Sequence, residues 1–245
     1  MTRRVAIVSD AGFYVGPALT KLLASREHDL VLGDADEGLV AELKELGAEV
    51  ENVEGVRDLA EEGSSEKLVK TAVDRFGRID SAVAFTGRIV VGRFLKSSVD
   101  DMRAVNEGCI VAPYNFLRAV VPPMIEQGDG QVLVLTSAAG ARPTPGAPLY
   151  SSARAGANML VRNVAAEVAE SGVQVNAVGT NFMDFPGFLA ANRVTDDESR
   201  ARVEAMVPMK RLGTMDELAH FCATFVDGTS RFTTGQFVAY AGGWA

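Results

Sequence analysis

The sequence has few of the residues that bind metals or form disulfides. Its 245 residues include two cysteines and two histidines. Cys109 and Cys222 lie in apolar stretches without the close spacing of a metal or redox motif, and His28 and His220 stand far apart in the chain. We therefore expect no bound metal, and we expect two buried thiols in a reducing compartment, the cytoplasm.

Basic patches and long apolar runs are also missing. Lys and Arg number 24 against 32 Asp and Glu, which gives a net charge of -8, and the positive residues form no stripe. Such a chain has little electrostatic attraction for nucleic acid or anionic lipid. The apolar run before Asp10 is too short for a signal peptide, and Asn115, Arg118 and two prolines interrupt the most apolar later stretch. We therefore expect neither nucleic acid nor a membrane as a partner.

The chain does contain a regular alternation of short apolar runs and longer helical segments. No linker rich in Pro, Gly or Ser divides it, so we expect one domain over residues 1–245. Fully apolar strands separated by helices predict a parallel sheet covered on both faces, which is a Rossmann-like, doubly wound α/β fold. The region near 180–208 is too long for a plain connection and is typical of a lid or substrate loop. The expected strands are RVAIVS, DLVLGD, AEVENV, IDSAVAF, QVLVLTS, VQVNAVG and QFVAYAGG, and the expected helices lie near 16–25, 37–47, 65–77, 99–121, 149–170 and 214–227.

Ser137, Tyr150 and Arg154 lie at the predicted carboxyl edge of this sheet. Ser137 ends the strand QVLVLTS, and a spacing of four places Tyr150 and Arg154 on one face of the next helix. A fixed guanidinium beside a phenol favours the phenolate, which makes Tyr150 a candidate general base. Ser137 is both a donor and an acceptor, so it can hold a substrate oxygen against that phenol. The three side chains together predict the deprotonation of an alcohol.

These segments resemble the short-chain dehydrogenase/reductase superfamily along nearly the whole chain. The matching segments are RFGRID, TSAAG, YSSARAGANML, VQVNAVG, PMKRLGTMDELA and the closing AGGW. The superfamily's catalytic pattern is Ser, Tyr and a Lys four residues after the Tyr, and Arg154 stands at the lysine position. Its glycine-rich nucleotide loop corresponds here to Ser9, Asp10, Tyr14 and Gly16, and its contacts at 84–87 and 179–180 are altered too. The resemblance therefore implies the family fold without the family's nucleotide cofactor.

Within that superfamily the chain resembles the halohydrin dehalogenases. These proteins carry a Ser-Tyr-Arg triad with the spacing seen here, and an aromatic residue at the position of Tyr14. The resemblance implies a cofactor-independent lyase that converts a vicinal halohydrin into an epoxide, a halide ion and a proton. It also implies the reverse reaction, in which azide, cyanide, nitrite or halide opens an epoxide. The implied halide and substrate pocket is lined by Tyr14, Thr180, Asn181, Phe182, Met183 and Phe188.

Two other functions stay open alongside the dehalogenase. One is an NAD(P)-dependent short-chain oxidoreductase with a degenerate cofactor loop, and the other is a catalytically silent sensor on the same fold. Binding of NADH or NADPH would distinguish the oxidoreductase from the dehalogenase. Acid release from simple bromohydrins would distinguish the dehalogenase from the silent sensor. The resemblance also implies a homotetramer, because relatives pair through the long helices that lie here near 99–121 and 149–170.

Overall fold

The computed structural model describes residues 3–245, in which seven strands and nine α-helices follow one another along the chain. The strands are β1 (Arg4–Val8), β2 (His28–Gly33), β3 (Val50–Val53), β4 (Ser81–Phe85), β5 (Gly130–Ser137), β6 (Val173–Thr180) and β7 (Phe237–Tyr240). The helices are α1 (Gly16–Ser25), α2 (Glu37–Glu45), α3 (Ser64–Phe76), α4 (Val99–Asn106), α5 (Ala112–Gln127), α6 (Pro148–Val168), α7 (Pro186–Ala191), α8 (Asp197–Ala205) and α9 (Met215–Ala223).

All seven strands within the described residues form one parallel sheet in the order β3-β2-β1-β4-β5-β6-β7. The strand order reverses between β1 and β4. In an open parallel sheet, ligands bind outside the carboxyl ends of the strands at such a switch point. The central strand β5 is buried along its whole length, as expected for a strand with helices on both faces.

Two separate apolar cores cover the two faces of the sheet. On one face, α5 and α6 contribute Phe116 and Val161 to one core. On the other face, α1 and α9 contribute Leu19 and Leu218. Burying a side chain of this size contributes about 1.5–3 kcal/mol, so these cores hold the strand ends in fixed positions. The predicted Rossmann-like, doubly wound α/β class is confirmed by this topology.

The region near 180–208, predicted as a loop, contains the two helices α7 and α8. Sequence periodicity does not reveal α8, because its segment DESRARVEA has few apolar residues and buries only Ser199 and Val203. Its start is instead fixed by a capping box, in which the Asp196 side chain accepts from the Ser199 amide at 2.8 Å and Ser199 Oγ bonds back to Asp196. The α7–α8 segment, residues 186–205, is called the lid below.

The helix expected near 99–121 is longer and less regular than predicted. It runs from α4 through a π-helical turn at Glu107–Val111 into α5, and it continues past Pro122 and Pro123 to Gln127. By length and composition alone this helix, Val99–Gln127, is long and apolar enough to cross a membrane, but 44% of its most apolar window is buried in the fold. The helix therefore packs part of its apolar surface into the core and leaves the rest exposed.

A buried histidine lies at the opposite, amino edge of the sheet. His28 begins β2, is fully buried and pairs in register with Arg4 of β1. Its Nδ1 lies 2.9 Å from the carbonyl oxygen of Arg26 and 3.2 Å from that of Leu23, so this nitrogen carries the proton and donates. Burial lowers the pKa of His28, because a charged imidazolium is poorly solvated there. The folded protein therefore holds this ring in its neutral form.

Acidification should destabilise the fold through His28. Because its pKa is lower in the folded state than the unfolded value of about 6.5, the unfolded chain binds more protons below that pH. The free energy of unfolding should therefore fall as the pH drops through about 6.5, by at most ~1.4 kcal/mol per pH unit from this residue. Urea unfolding between about pH 5 and about pH 7.5 measures the slope, and His28→Asn should flatten it.

The other histidine provides the control for this experiment. His220 is exposed on α9, so His220→Gln should keep the wild-type slope. Identical slopes for His28→Asn and the wild type would contradict the buried neutral histidine.

Candidate active site

Ser137 is the last residue of β5 and lies at the carboxyl edge of the sheet, where its side chain is 7% exposed. Its Oγ accepts a hydrogen bond from the Ala139 amide at 3.1 Å, which caps the short 3-10 turn Ala138–Ala141. It donates to the Thr180 carbonyl oxygen at 3.4 Å, a long contact for a hydroxyl donor. The Ser137 oxygen is therefore fixed by an accepted bond, while its hydrogen is free to turn towards a ligand.

Tyr150 lies in the first turn of α6. The helix begins at Pro148, whose missing N–H costs nothing at this position. Tyr150 is 8% exposed and packs in one small apolar cluster with Ala139 and Ala147, which belong to the loop after Ser137. The structure thus places Tyr150 beside the turn that Ser137 caps.

Arg154 follows one turn later on α6 and is only 3% exposed. Its guanidinium carbon lies 5.1 Å from the centre of the Tyr150 ring. Its Nη1 donates to Thr86 Oγ1 at 2.9 Å, and its Nη2 donates to the Thr86 carbonyl oxygen. Thr86 Oγ1 in turn donates to the Leu135 carbonyl oxygen at 2.8 Å. The positive charge is therefore held beside Tyr150 by the loop that follows β4.

Gly87 makes this anchoring possible. A Cβ atom at Gly87 would lie 1.8 Å from Arg154 Nη2, and the backbone φ of +130° is one that side chains rarely adopt. Among the described residues, Arg154 Nε is one of few buried side-chain nitrogens without a hydrogen-bond partner. A donor buried this way costs free energy unless a ligand or water accepts from it. The anchoring at Thr86 therefore leaves this one donor of Arg154 unsatisfied.

Tyr14 occupies the nucleotide-loop end of the site. Its backbone has a φ of +55°, in the left-handed region that favours glycine. The ring packs edge-on against Phe185 with a centroid distance of 4.7 Å, and the hydroxyl is hydrogen bonded to Thr180. Burial raises the pKa of Tyr14, so the phenol stays protonated. Tyr14 therefore closes the space between the loop after β1 and the end of β6.

The loop after β6 uses its polar groups internally. The Phe182 amide donates to Asn181 Oδ1 at 2.9 Å, and the Phe182 carbonyl oxygen accepts from the Gly213 amide at 3.0 Å. Met183 is buried in the apolar core that also contains Leu218. The expected anion pocket needs free amides near Phe182 and Met183, and the Phe182 amide is already bonded.

The rings of Phe182 and Phe188 face each other with a centroid distance of 5.7 Å. Both belong to an apolar cluster with lid residues, and Phe182 is buried there. Phe188, on α7 of the lid, therefore packs against Phe182 in this cluster.

Asp10, which replaces a loop glycine of the superfamily, forms an ion pair with another loop. Its carboxylate lies 3.2 Å from Nε of Arg57, which comes from the loop after β3. Asp10 is 5% exposed, and burial raises its pKa to about 6, against the opposing effect of Arg57. A charged or half-charged carboxylate thus lies where family members need neutral backbone amides.

Comparisons with known proteins agree with this architecture. The family model described as enoyl-(acyl carrier protein) reductase matches residues 14–245. A 3-oxoacyl-(acyl-carrier-protein) reductase of Synechocystis sp. is 31% identical over 251 residues, covering 99% of this chain and 97% of the relative. This protein belongs to the short-chain dehydrogenase/reductase superfamily.

Two solved structures place the fold of this superfamily member among nucleotide-dependent enzymes. An NADPH-dependent reductase involved in bacilysin biosynthesis superimposes with a TM-score of 0.89 at 19% identity, covering 99% of this chain and 98% of that one. An NAD+-bound xylitol dehydrogenase superimposes with a TM-score of 0.86 at 25% identity, covering 98% of both chains. The first likeness concerns the fold alone.

The expected halohydrin dehalogenase activity is wrong on these comparisons. The relatives are reductases and dehydrogenases, whereas the expected lyase releases halide and a proton and opens epoxides in reverse. The physical reason is that an arginine beside a tyrosine constrains the acid–base chemistry, and an aromatic residue in the nucleotide loop limits the space available to a ligand. Neither feature specifies a leaving group, so the oxidoreductase class replaces the lyase.

One family contact to the adenosine half of a nicotinamide dinucleotide is present. Asp34 directly follows β2, the position from which a carboxylate binds the ribose hydroxyls in related folds. Its oxygens accept from the amides of Gly55 and Val56 at 2.7 and 3.0 Å, and it lines a cleft of about 640 Å³ together with Arg57 and the acidic residues Glu54, Asp58 and Glu61. The nearby Asp36 caps α2 by accepting from the Leu39 amide.

The nicotinamide half does not fit in the manner of the family motif. Tyr14 fills a glycine position, Asp10 sets a carboxylate near the expected pyrophosphate, and Arg154 is bonded to Thr86 where a lysine would reach the ribose. A nicotinamide held at this edge would therefore need contacts other than those of the family motif.

Sequence analysis missed three residues that shape the site. Thr86 anchors Arg154, Phe185 packs on Tyr14 and Arg57 pairs with Asp10. Thr86 follows β4 directly, so its place at the carboxyl edge of a predicted strand was a usable signal. The other two contacts join segments far apart in sequence, and no local pattern indicates them.

Replacing Tyr14 by glycine should strengthen nucleotide binding. Tyr14→Gly removes the ring that closes the space next to Thr180 and places the residue that favours a φ of +55° there. The Kd for NADH should fall by about tenfold or more, which corresponds to ~1.4 kcal/mol. Titration calorimetry measures it, and Phe13→Gly, a change at the exposed neighbouring ring, is the control. Equal affinities of Tyr14→Gly and the wild type would show that Tyr14 does not obstruct the site.

Proposed function

We propose that this protein is an oxidoreductase that acts on the carbon–oxygen group of a small alcohol or carbonyl compound. The observation that carries the proposal is the placement of Ser137 and Tyr150, nearly buried and joined through Ala139, at the carboxyl edge of β5. The family's sequence pattern places its serine and tyrosine at these positions. Relatives that are reductases support the same class of reaction.

In this proposal Tyr150 exchanges a proton with the substrate oxygen and Ser137 bonds the same oxygen. The weak contact of Ser137 Oγ with Thr180 is replaced by a bond to the ligand, because a 3.4 Å hydrogen bond costs little to break. Reduction of a carbonyl places negative charge on its oxygen, and two hydroxyl donors aimed at that oxygen stabilise the charge. Tyr150 then supplies the proton that completes the alcohol.

Arg154 holds a permanent positive charge next to this proton transfer. Its guanidinium is fixed at Thr86 and lies over the Tyr150 ring, so the charge does not move during the reaction. A positive charge stabilises the phenolate that remains after Tyr150 has given up its proton.

Oxidoreduction at carbon needs a hydride donor or acceptor, and a nicotinamide nucleotide supplies one in the relatives whose names state it. In this chain Asp34 would bind the ribose hydroxyls of the adenosine half. Its negative charge disfavours a 2′-phosphate, so we expect NADH to bind more tightly than NADPH.

A second candidate is a protein that binds ligands at this edge without turnover. The position of Tyr14 favours it, because the ring and its bond to Thr180 occupy the nicotinamide end. Turnover distinguishes the two candidates.

We also propose a homotetramer and a cytoplasmic location. The tetramer is supported by large apolar side chains that are exposed on the helices expected to pair. The cytoplasmic location is supported by the two cysteines, which are free and buried. These exposed side chains are Val99, Met102, Val111, Tyr114, Ile125 and Met159.

The decisive experiment is a nucleotide titration followed by a substrate screen. NADH and NADPH are titrated separately, and each is then incubated with a panel of small ketones and aldehydes while absorbance of the reduced nucleotide is recorded. The proposal predicts binding of NADH and its substrate-dependent oxidation. Binding without oxidation supports the ligand-binding protein, and no binding of either nucleotide overturns the oxidoreductase.

Tyr150→Phe should abolish carbonyl reduction while leaving the fold intact. Phenylalanine fills the same apolar cluster with Ala139 and Ala147 but has no proton to give. We expect kcat/KM to fall by about 100-fold or more, the usual contribution of a general acid or base. Steady-state kinetics and circular dichroism measure the two properties, and an active Tyr150→Phe protein would exclude the proposed proton transfer.

Arg154→Lys should lower activity although it keeps the charge. An ammonium cannot reproduce the paired bonds to the Thr86 hydroxyl and carbonyl oxygen, so the charge would lose its fixed position over Tyr150. We expect a decrease in kcat of about tenfold. The dependence of kcat on pH provides the specific readout, and an unchanged rate with an unchanged pH profile would remove Arg154 from this role.

A further inference from the structure

Trp244, the single tryptophan of the sequence, lies between two loops of the active-site edge. Its indole ring centre is 4.8 Å from the guanidinium carbon of Arg142 and 5.6 Å from the ring centre of Phe182. Arg142 Nη1 also donates to the Trp244 carbonyl oxygen at 2.7 Å. Arg142 belongs to the loop between Ser137 and α6, whereas Phe182 belongs to the loop after β6. One residue near the end of the chain therefore contacts both loops.

On its first side, this contact reaches the segment that carries the catalytic hydroxyls. Ser151 Oγ donates to the carbonyl oxygen of Arg142 at 2.9 Å and to that of Ala139 at 2.6 Å. Ser151 directly follows Tyr150 on α6, and the Ala139 amide donates to Ser137 Oγ at 3.1 Å. The backbone at Arg142 is thus bonded to the turn of Tyr150, and a displacement of Arg142 would be transmitted to that turn.

On its second side, Trp244 packs against the base of the lid. The lid has few buried contacts of its own, because α7 has no fully buried residue and α8 has only Ser199 and Val203. A segment with so little burial opens at low cost in free energy. The cluster that holds it consists of Phe182, Val203, Val207 and Leu212, with Phe188, Leu189, Val194 and Trp244 packed against them.

We propose that Trp244 and Arg142 are positioning residues that hold the lid against the loop after Ser137 and so set the closed width of the substrate cleft. The Trp244 ring packs against the Phe182 ring and against the guanidinium of Arg142. The Arg142 guanidinium also donates a hydrogen bond to the Trp244 carbonyl oxygen. Neither residue touches the reacting oxygen. The consequence for catalysis rests on the proposed function, but the effect on the lid does not.

Three variants test the proposal. Arg142→Gln removes the cation from the indole face, Trp244→Ala removes the ring, and Trp244→Phe keeps an aromatic ring against Phe182. Arg142 is exposed, so Arg142→Gln leaves the apolar cores untouched and remains informative if Trp244→Ala folds poorly. The matched control is Arg75→Gln, because Arg75 also lies over an aromatic ring, that of Phe76 at 5.4 Å, on a helix away from the site.

The first readout needs no substrate. Limited trypsin digestion reports lid opening, since Arg193, Arg200 and Arg202 lie within the lid. Cleavage there should be about tenfold faster in Arg142→Gln and Trp244→Ala than in the wild type, and near the wild-type rate in Trp244→Phe and Arg75→Gln. The emission of Trp244 should shift to longer wavelength in Arg142→Gln. Equal cleavage rates in all proteins overturn the proposal.

The second readout uses whichever carbonyl compound is reduced in the screen. Arg142→Gln and Trp244→Ala should raise KM by about tenfold with kcat changed by less than about threefold, and Trp244→Phe should restore most of the loss. Faster lid cleavage with an unchanged KM would overturn the role in setting the cleft, as would a loss confined to kcat. If no compound is turned over, the proposed function fails, while trypsin digestion still decides whether the two residues hold the lid.

Discussion

A buried guanidinium without a carboxylate partner is the constraint on which the rest of this site depends. Burying a cation costs several kcal/mol unless its hydrogens are accepted, and Arg154 is almost completely enclosed. Thr86 accepts two of these hydrogens with its hydroxyl and carbonyl oxygens, while Nε has no partner. This anchoring constrains the residues around it. Gly87 must lack a side chain, because a Cβ there would collide with the guanidinium, and the loop after β4 takes the conformation that brings Thr86 within reach.

The same constraint explains why the changes in the nucleotide loop occur together with the arginine. A lysine at this position has a flexible stem and can extend towards a ribose, whereas the bonded guanidinium cannot do so without losing Thr86. Space near the end of β6 that such a ribose would use is filled by Tyr14, which bonds Thr180 and packs on Phe185. An aromatic ring in this space buries apolar surface that an empty cleft would leave exposed to water, and this burial is favourable. An arginine at position 154 and a tyrosine at position 14, on opposite sides of the cleft, are therefore physically compatible with each other.

The sequence was sufficient for the sheet and for the residues at its edge. Runs such as RVAIVS and QVLVLTS predict strands because a sheet covered on both faces needs uninterrupted apolar strands, and the structure has β1 and β5 there. It was insufficient where long-range contacts decide the structure. The start of α8 depends on the cap at Asp196 more than on an apolar stripe, and Asp10 after β1 pairs with Arg57 after β3 across the end of the intervening strand β2. The activity was misjudged for a related reason, since the pattern of Ser137, Tyr150 and Arg154 predicts a proton transfer and leaves open what happens at the neighbouring carbon.

The carboxyl edge is consequently divided into two regions of different chemistry, with Tyr14 between them. On one side, Asp34 and Arg57 line an open, charged cleft that suits the hydroxyls of a sugar, and Arg57 pairs with the buried Asp10. On the other side, Tyr150 packs among Ala139, Ala147 and Ala153, so the effective dielectric is low and the buried charge of Arg154 acts strongly on it. In the ancestral arrangement of such sheets one extended ligand crosses both regions. Here the ring of Tyr14 lies on that path, so any coupling between the regions depends on whether this one side chain moves away from Thr180.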